Sequence, residues 1–428
     1  MLLQFSCGNH RSIKDPITFS MVASKDETAS IRLRQYNTNQ IVRIAAIYGP
    51  NGSGKSNFVG AIEFAKKMIV NSLNHAPGVL LNQMPHKLLG KSIPSTYDFQ
   101  FVADEIRYAY GFSITEGLID EEYLYYFPNK RKTKIFERKG MNITPGNKYK
   151  RAFSLSEEAL KENRLFLSCL AYYSRLKEVE KAFLFFSQEI VVYRTNVDEP
   201  RTNNWYEYSV ELMEKNPNVK KAFVLFLKAL DTGIEDVKAK TREIDTEELT
   251  KGMPGVLKNL FLSPEVSSGT VKNIETKVIY KNFETDLMTE ESTGIRKLFQ
   301  IVCPVLDILT TGKVLICDEI ETGLHEAVVH KIIELFYEMS PEKFAQLIFT
   351  THDTSLLDAK MFRRDQIWFT QLEPEYRATD LYSLVEIKNV RNNENLAKGY
   401  VSGKYGAIPV LNDSFKAFIE SVTSLGEE

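Results

Sequence analysis

The chain has 428 residues, 43% hydrophobic and 26% charged, with a formal net charge of −2. That balance fits one large globular domain with insertions or two to three smaller ones, and it excludes a chain drawn to polyanions by overall charge. Four scattered cysteines without a CxxC pair argue against a zinc site or a disulfide framework, and no apolar run approaches the roughly 20 residues a membrane span needs, so a cytoplasmic protein with no membrane contact is expected.

Residues 1–48 read as strands. "LLQFSC" and "ITFSMVA" flank a polar turn, and "VRIAAIY" is a continuous apolar run ending in glycine, as in a strand buried on both faces. A helix is expected from about Ser56 to Asn71. Between Thr96 and Glu137 the pattern changes to short alternating segments ("TYDFQFVA", "IRYAYGFSI", "EEYLYYF", "KTKIFER"), an antiparallel meander. From about Thr144 to Leu260 apolar residues recur at helical spacing. Beyond "TKVIYKNF", residues 292–370 alternate helix and strand, and "KVLICDE" and "AQLIFTT" read as neighbours in a mixed or parallel sheet. The expected division is 1–80, 81–143 (an antiparallel β lobe), 144–275 (a helical insertion) and 276–428.

The basic run "NKRKTKIFERKG" with "NKYKR" after it, within 129–151, offers either a docking patch for nucleic acid or a partner, or a solvated hairpin.

Three stretches carry chemistry. "GPNGSGKS", Gly49 to Ser56, fits GxxxxGK[ST] between an expected strand and an expected helix. Backbone N–H groups of Gly49, Pro50's neighbours Asn51 and Gly52, Ser53 and Gly54 would turn around a polyphosphate. The helix start at Ser56 and Asn57 adds its positive end. Lys55 would reach the β- and γ-phosphates of ATP, and Ser56 would hold Mg²⁺. "VLICDE" carries Asp318 and Glu319 out of a buried strand: Asp318 for Mg²⁺, Glu319 to polarise the attacking water. Taken alone, such a pair equally marks a strand surfacing. "LIFTTHD" ends its strand with His352, positioned to sense a γ-phosphate or its attacking water.

The order phosphate loop, "ESTGIRKLF", "CDE", "THD" resembles the ABC-type ATPase head. Gly294 lies 24 residues before Asp318 (318 − 294), room for one helix and a turn. Ser292, Thr293 and Gly294 stand where that family has S-G-G of its signature, with Thr293 and Ile295 departing from the pattern. Ser292 can cap the helix, and Gly294 lets amides approach an anion. The resemblance implies an α/β P-loop head with a mixed central sheet, whose signature covers the γ-phosphate held by a second head. A homodimer or higher oligomer then sandwiches two ATP molecules. "IETGLHE", with Leu324 and His325, is similar to the dimer-contact loop of that class. "NHRS" resembles the "NFRS"-like opening of the recombination and chromosome-maintenance branch, which implies a place for Arg11 near the phosphates. Gln83 and Gln100 are both candidates for the family's glutamine loop.

"PSTYDFQFVADEIRYAYGF", "THDTSLLDAKMFRRDQIWF" and "LYSLVEIKNVRNNENLAKGYVSGKYGAIP" resemble the RloA/AbiL-like group of bacterial ATPases found at abortive-infection and restriction loci. That resemblance implies an antiphage role beside a separately encoded effector protein. A DNA-repair ATPase that binds DNA through 129–151, and an interaction module with a pocket but negligible hydrolysis, are the alternatives. No two aspartates are separated by one residue, and 76 residues follow the histidine (428 − 352), so an appended nuclease is not expected.

Overall fold

The computed structural model describes residues 1–25, 33–194, 205–245, 270–338, 343–391, 394–409, 418–419 and 421–423. These fall into two compact units. The first comprises Met1–Tyr193, Gly312–Ile320 and Phe336–Glu428; the second comprises Arg194–Thr311 and Glu321–Leu335. The mixed α/β architecture read from the sequence holds.

The first unit contains two sheets. Its six-stranded sheet runs Ile190–Tyr193, Val314–Cys317, Gln346–Thr350, Ile44–Tyr48, Ile367–Glu373, Ala378–Ser383, with only the last strand antiparallel. The strands Val314–Cys317, Gln346–Thr350 and Ile44–Tyr48 are buried at every position, which is why they read as unbroken apolar runs. The expected pairing of "VLIC" with "QLIFT" is present and parallel. The seven-stranded antiparallel sheet runs Asn142–Pro145, Thr133–Lys139, Leu118–Tyr126, Ile106–Thr115, Ser95–Ala103, Leu2–Gly8, Ile17–Ser20. Burial alternates along Ser95–Ala103, placing Tyr97, Phe99 and Phe101 inward. The helix Lys55–Asn71 is lined by buried Phe58, Ile62, Ala65 and Ile69. Phe58 meets Phe5 edge-on and Phe19 at a tilt, and Phe19 reaches Trp368, so residues of both sheets share one core.

The expected boundaries differ from the observed ones in two places. The meander is not a separate lobe, because Leu2–Gly8 pairs with Ser95–Ala103, with Phe5 opposite Phe99. Residues 144–275 are not one helical insertion. Helices Ser154–Ala159, Phe166–Tyr173 and Lys177–Leu184 belong to the first unit, and the β-branched run Ile190–Tyr193 joins its parallel sheet. In the second unit, helices Trp205–Lys215 and Pro217–Ala229 precede a long antiparallel pair, Asp236–Asp245 with Thr270–Ile279, which Glu284–Asp286 extends. The part of the expected helical region at 246–269 lies outside the described residues.

One member of the basic run is built into the fold, while Lys130, Arg131, Lys148, Lys150 and Arg151 stay exposed. Arg138 is buried and ion-paired with buried Glu122 at 3.3 Å, and it also donates to the Gly140 carbonyl at 2.7 Å. Glu122 further accepts from the Phe166 and Leu167 amides and the Tyr110 hydroxyl. Lys134 pairs with Glu137, Lys139 with Glu121, and Lys132 lies over the Tyr125 ring. Arg138 is thus a strut between strand and helix, and it leaves the candidate nucleic-acid patch. Replacing it (Arg138→Ala) strands a buried carboxylate and should cost about 3–5 kcal/mol; chemical denaturation monitored by far-UV circular dichroism measures that loss.

The tail segment "YVSGKYGAIP" has a packing role. Tyr400 stacks on Phe369 and meets Tyr48 edge-on, and its hydroxyl donates to the Ala407 carbonyl at 2.8 Å. Tyr405 donates to Glu394, while Tyr382 donates to the Tyr405 carbonyl. The tail therefore buttresses the strand that leads into the phosphate loop. Among the described residues, no helix is long and apolar enough to cross a membrane.

Candidate active site

Ile44–Tyr48 ends at Gly49, and the loop from Gly49 to Gly54 opens directly into the helix Lys55–Asn71. Gly54 has φ +107° and sits so close to the Thr379 side chain that a Cβ there would collide with it. Gly52 has φ +78°. These backbone conformations explain why the loop is built on glycine. A pocket of about 320 Å³ lies over the loop, lined by Asn51, Gly52, Ser53, Gly54, Lys55, Ser56 and Asn57 together with Glu319 and His352.

Lys55 is buried, and its Nζ donates to the carbonyls of Gly49 (2.6 Å) and Pro50 (3.1 Å) while lying 3.5 Å from His352 Nδ1. The Lys55–His352 approach joins residues nearly 300 positions apart, because their parent strands, Ile44–Tyr48 and Gln346–Thr350, are paired in parallel. Asp318 and Glu319 follow Val314–Cys317, the next strand over. Asp318 is buried, and Thr350 organises the pair: its hydroxyl donates to Asp318 Oδ1 at 2.6 Å and accepts from the Glu319 N–H at 2.7 Å. Glu319 has φ +51°, a strained left-handed turn that points the chain out of the sheet edge immediately after the acid. Sequence reasoning misses Thr350, because only the pairing of its strand with Val314–Cys317 carries it to Asp318.

The structure places the other candidates less uniformly. Arg11, also at positive φ (+51°), is exposed; its N–H donates to the Met84 carbonyl and its guanidinium lies 3.4 Å from Met84 Sδ. It is the neighbouring Ser12 that reaches the loop region, accepting from Asn57 Nδ2 at 2.6 Å. Neither glutamine lines the pocket. Gln83 is buried, with its amide bonded to Ser95, the Ile114 carbonyl and the Gly117 N–H. Gln100 bonds Gln4 and lines a larger cleft of about 690 Å³ that holds none of the phosphate-loop residues.

Ser292 and Gly294 belong to the second unit. Ser292 Oγ accepts from the Ile295 N–H at 3.3 Å, so it caps the helix Thr293–Thr311 as the sequence predicts. That helix is anchored by Phe299 against Tyr206 and Phe223, and by Tyr208 donating to Asp307 at 2.7 Å. Just ahead of the helix, Glu291 accepts from the hydroxyls of Tyr280 (2.9 Å) and Thr285 (2.5 Å), tying its start to the three-stranded sheet. His325 is exposed, and its Nδ1 accepts from the Ala327 N–H at the start of the next helix.

The family model described as "AAA domain, putative AbiEii toxin, Type IV TA system" matches residues 44–143 and 263–358. The two matched segments contain the phosphate loop, Ser292, Gly294, the acidic pair and His352. Over these segments, which make up under half of its length, the chain is similar to that AAA-domain family. The chain is also similar to solved SMC heads: an SMC head bound to the C-winged helix domain of ScpA (14% identity, covering 89% of this chain and 97% of that one, TM-score 0.44), the SMC head domain from Thermotoga maritima (13%, 89% and 98%, TM-score 0.40) and an Smc head with an extended coiled coil bound to the C-terminal domain of ScpA derived from Pyrococcus furiosus (13%, 90% and 97%, TM-score 0.38). A comparison with curated proteins finds no match.

Proposed function

We propose that this chain is an ABC-type ATPase that converts ATP and water to ADP and phosphate, closes as a homodimer around two ATP molecules, and serves as a switch for a separately encoded effector in bacterial antiphage defence. The observation that carries the ATPase reading is the meeting, in one pocket, of the phosphate loop with Glu319 and His352 from two neighbouring strands. Its defence role is supported by the toxin–antitoxin wording of the matched family and by the sequence likeness to the RloA/AbiL-like group.

In this reading the loop amides and Lys55 bind the β- and γ-phosphates. Glu319, turned outward by its backbone, orients the attacking water. Lys55 and His352 stand side by side to stabilise charge that develops on the terminal phosphate. The donor set suits a hard divalent cation: the Ser56 hydroxyl and the Asp318 carboxylate are both oxygen ligands, and Thr350 fixes one Asp318 oxygen. Such a cation, Mg²⁺ in this class, would supply charge neutralisation across the phosphates. The tip of the helix Thr293–Thr311 offers Ser292 and Gly294 to the nucleotide of a second copy, and a phosphate there would meet the helix's positive end.

A steady-state phosphate-release assay tests the catalytic part. Wild-type protein should turn over ATP only with Mg²⁺, and Lys55→Ala should bring release down to background. Nucleotide binding without any release from the wild type would reduce the protein to an ATP-gated interaction module.

A further inference from the structure

The phosphate loop is held from behind by a belt of hydroxyl groups from distant parts of the chain. Thr379, on the edge strand Ala378–Ser383, donates through Oγ1 to the Ser53 carbonyl at 3.0 Å. Its Oγ1 also lies 2.7 Å from Ser12 Oγ, and its N–H donates to the Ser12 carbonyl at 2.7 Å. Ser12 Oγ in turn accepts from Asn57 Nδ2 at 2.6 Å. Thr379 and Ser53 are both buried.

The direction of these bonds is forced. A carbonyl only accepts, so the single Thr379 hydroxyl proton goes to Ser53. Ser12 must then donate to Thr379, and the Asn57 amide must donate to Ser12. The result is a one-way chain from Asn57 through Ser12 and Thr379 to the Ser53 carbonyl. It begins and ends on the phosphate-loop segment and passes through the turn that carries Arg11. A second arm holds the other side of Ser53: Thr370 donates to the Tyr48 carbonyl at 3.3 Å, so the Ser53 hydroxyl donates to Thr370 at 2.6 Å. With its proton turned inward, the Ser53 side chain has none to give a phosphate, and the residue serves the ligand through its backbone.

We propose that Thr379 is a positioning residue for nucleotide binding: its hydroxyl locks the loop curvature at Ser53 and couples that curvature to the Asn9–Ser12 turn. It rests on the ATP-binding reading above but makes no contact with nucleotide itself. The loop amides are useful to a polyphosphate only while they converge, and Thr379 holds the carbonyl on the far side of that convergence.

Full-length Thr379→Val and Thr379→Ser variants test this. Valine keeps the volume and removes the hydroxyl, leaving a buried carbonyl without its donor and Ser12 without its acceptor. Amide hydrogen exchange, measured without nucleotide, should then quicken about tenfold in residues 49–55 and 9–12 together, and KM for ATP should rise about tenfold with kcat within about threefold of wild type. Thr379→Ser should restore both. Unchanged exchange in either segment overturns the proposal. So does a serine variant that behaves like the valine one, since methyl packing would then be the cause. If Thr379→Val fails to fold, Ser12→Ala breaks the same chain at a half-buried link and is read by the same exchange. A Lys55→Ala control separates the two ideas: wild-type protein that binds no more ATP than this control defeats the ATPase reading, while exchange still decides the role of Thr379.

Discussion

Glu319→Gln should bind ATP, pair with a second copy and stay paired, with turnover lowered roughly a hundred- to ten-thousandfold. The substitution keeps shape and removes charge. The Glu319 N–H bond to Thr350 belongs to the backbone and survives, and glutamine adopts the +51° backbone no less readily than glutamate. On the proposed mechanism, what is lost is the carboxylate that would orient water, while Lys55, Ser56 and Asp318 would still hold the nucleotide. Binding energy that normally drains away at each hydrolysis then keeps the closed state populated. Size-exclusion chromatography with light scattering, with saturating ATP and Mg²⁺, reads the outcome directly. A monomer under those conditions defeats the ATP sandwich. A dimer that still releases phosphate at the wild-type rate removes Glu319 from the chemistry.

The second large effect concerns Gly294. Its backbone φ is not in the left-handed region, and an added Cβ would meet only the Gly323 carbonyl at 3.6 Å and Ser292 Oγ at 3.9 Å, ordinary contacts. Among the described residues, nothing around that Cβ demands glycine, and a larger residue improves helix propensity. Gly294→Trp should therefore fold with unchanged thermal stability and yet lose turnover, because the bulk would fall where a partner's γ-phosphate must approach. A mixing experiment sharpens this. On the split-site proposal, Gly294→Trp and Lys55→Ala proteins should each be inactive, while one intact composite site should form in every mixed pair. Equal mixing should recover up to about a quarter of wild-type turnover, since about half of the pairs are mixed and each has one working site of two. No recovery, or full activity of Gly294→Trp alone, contradicts a split site.

How much could be read beforehand depends on where each signal lies. The phosphate loop declared itself because its glycines, lysine and serine are contiguous and the flanking run "IAAIY" is uniformly apolar. The neighbouring strands "VLIC" and "QLIFT" were legible for the same reason: burial on both faces leaves no alternation to confuse with a helix. What escaped notice was non-local. Thr350 and Thr379 matter only because strand pairing carries them to Asp318 and Ser53, and a lone threonine in a strand looks like any other. "IVVY" was absorbed into a helical stretch because four residues give too short a window to show their period. Arg138 looked like surface charge because its partner Glu122 is sixteen positions away on the adjacent strand, and linear charge counting cannot see a cross-strand pair.

The strand leading to the phosphate loop has consequences for biogenesis. Both sheet neighbours of Ile44–Tyr48, Gln346–Thr350 and Ile367–Glu373, are made some three hundred residues after it. The hydroxyl that supports Ser53 arrives later still. A nascent chain emerging from the ribosome therefore carries an apolar strand with open edges while the intervening residues are made. The phosphate loop gains its full support only once residue 379 is made, so a product cut short before it would keep an apolar strand with open edges and an unbraced Ser53.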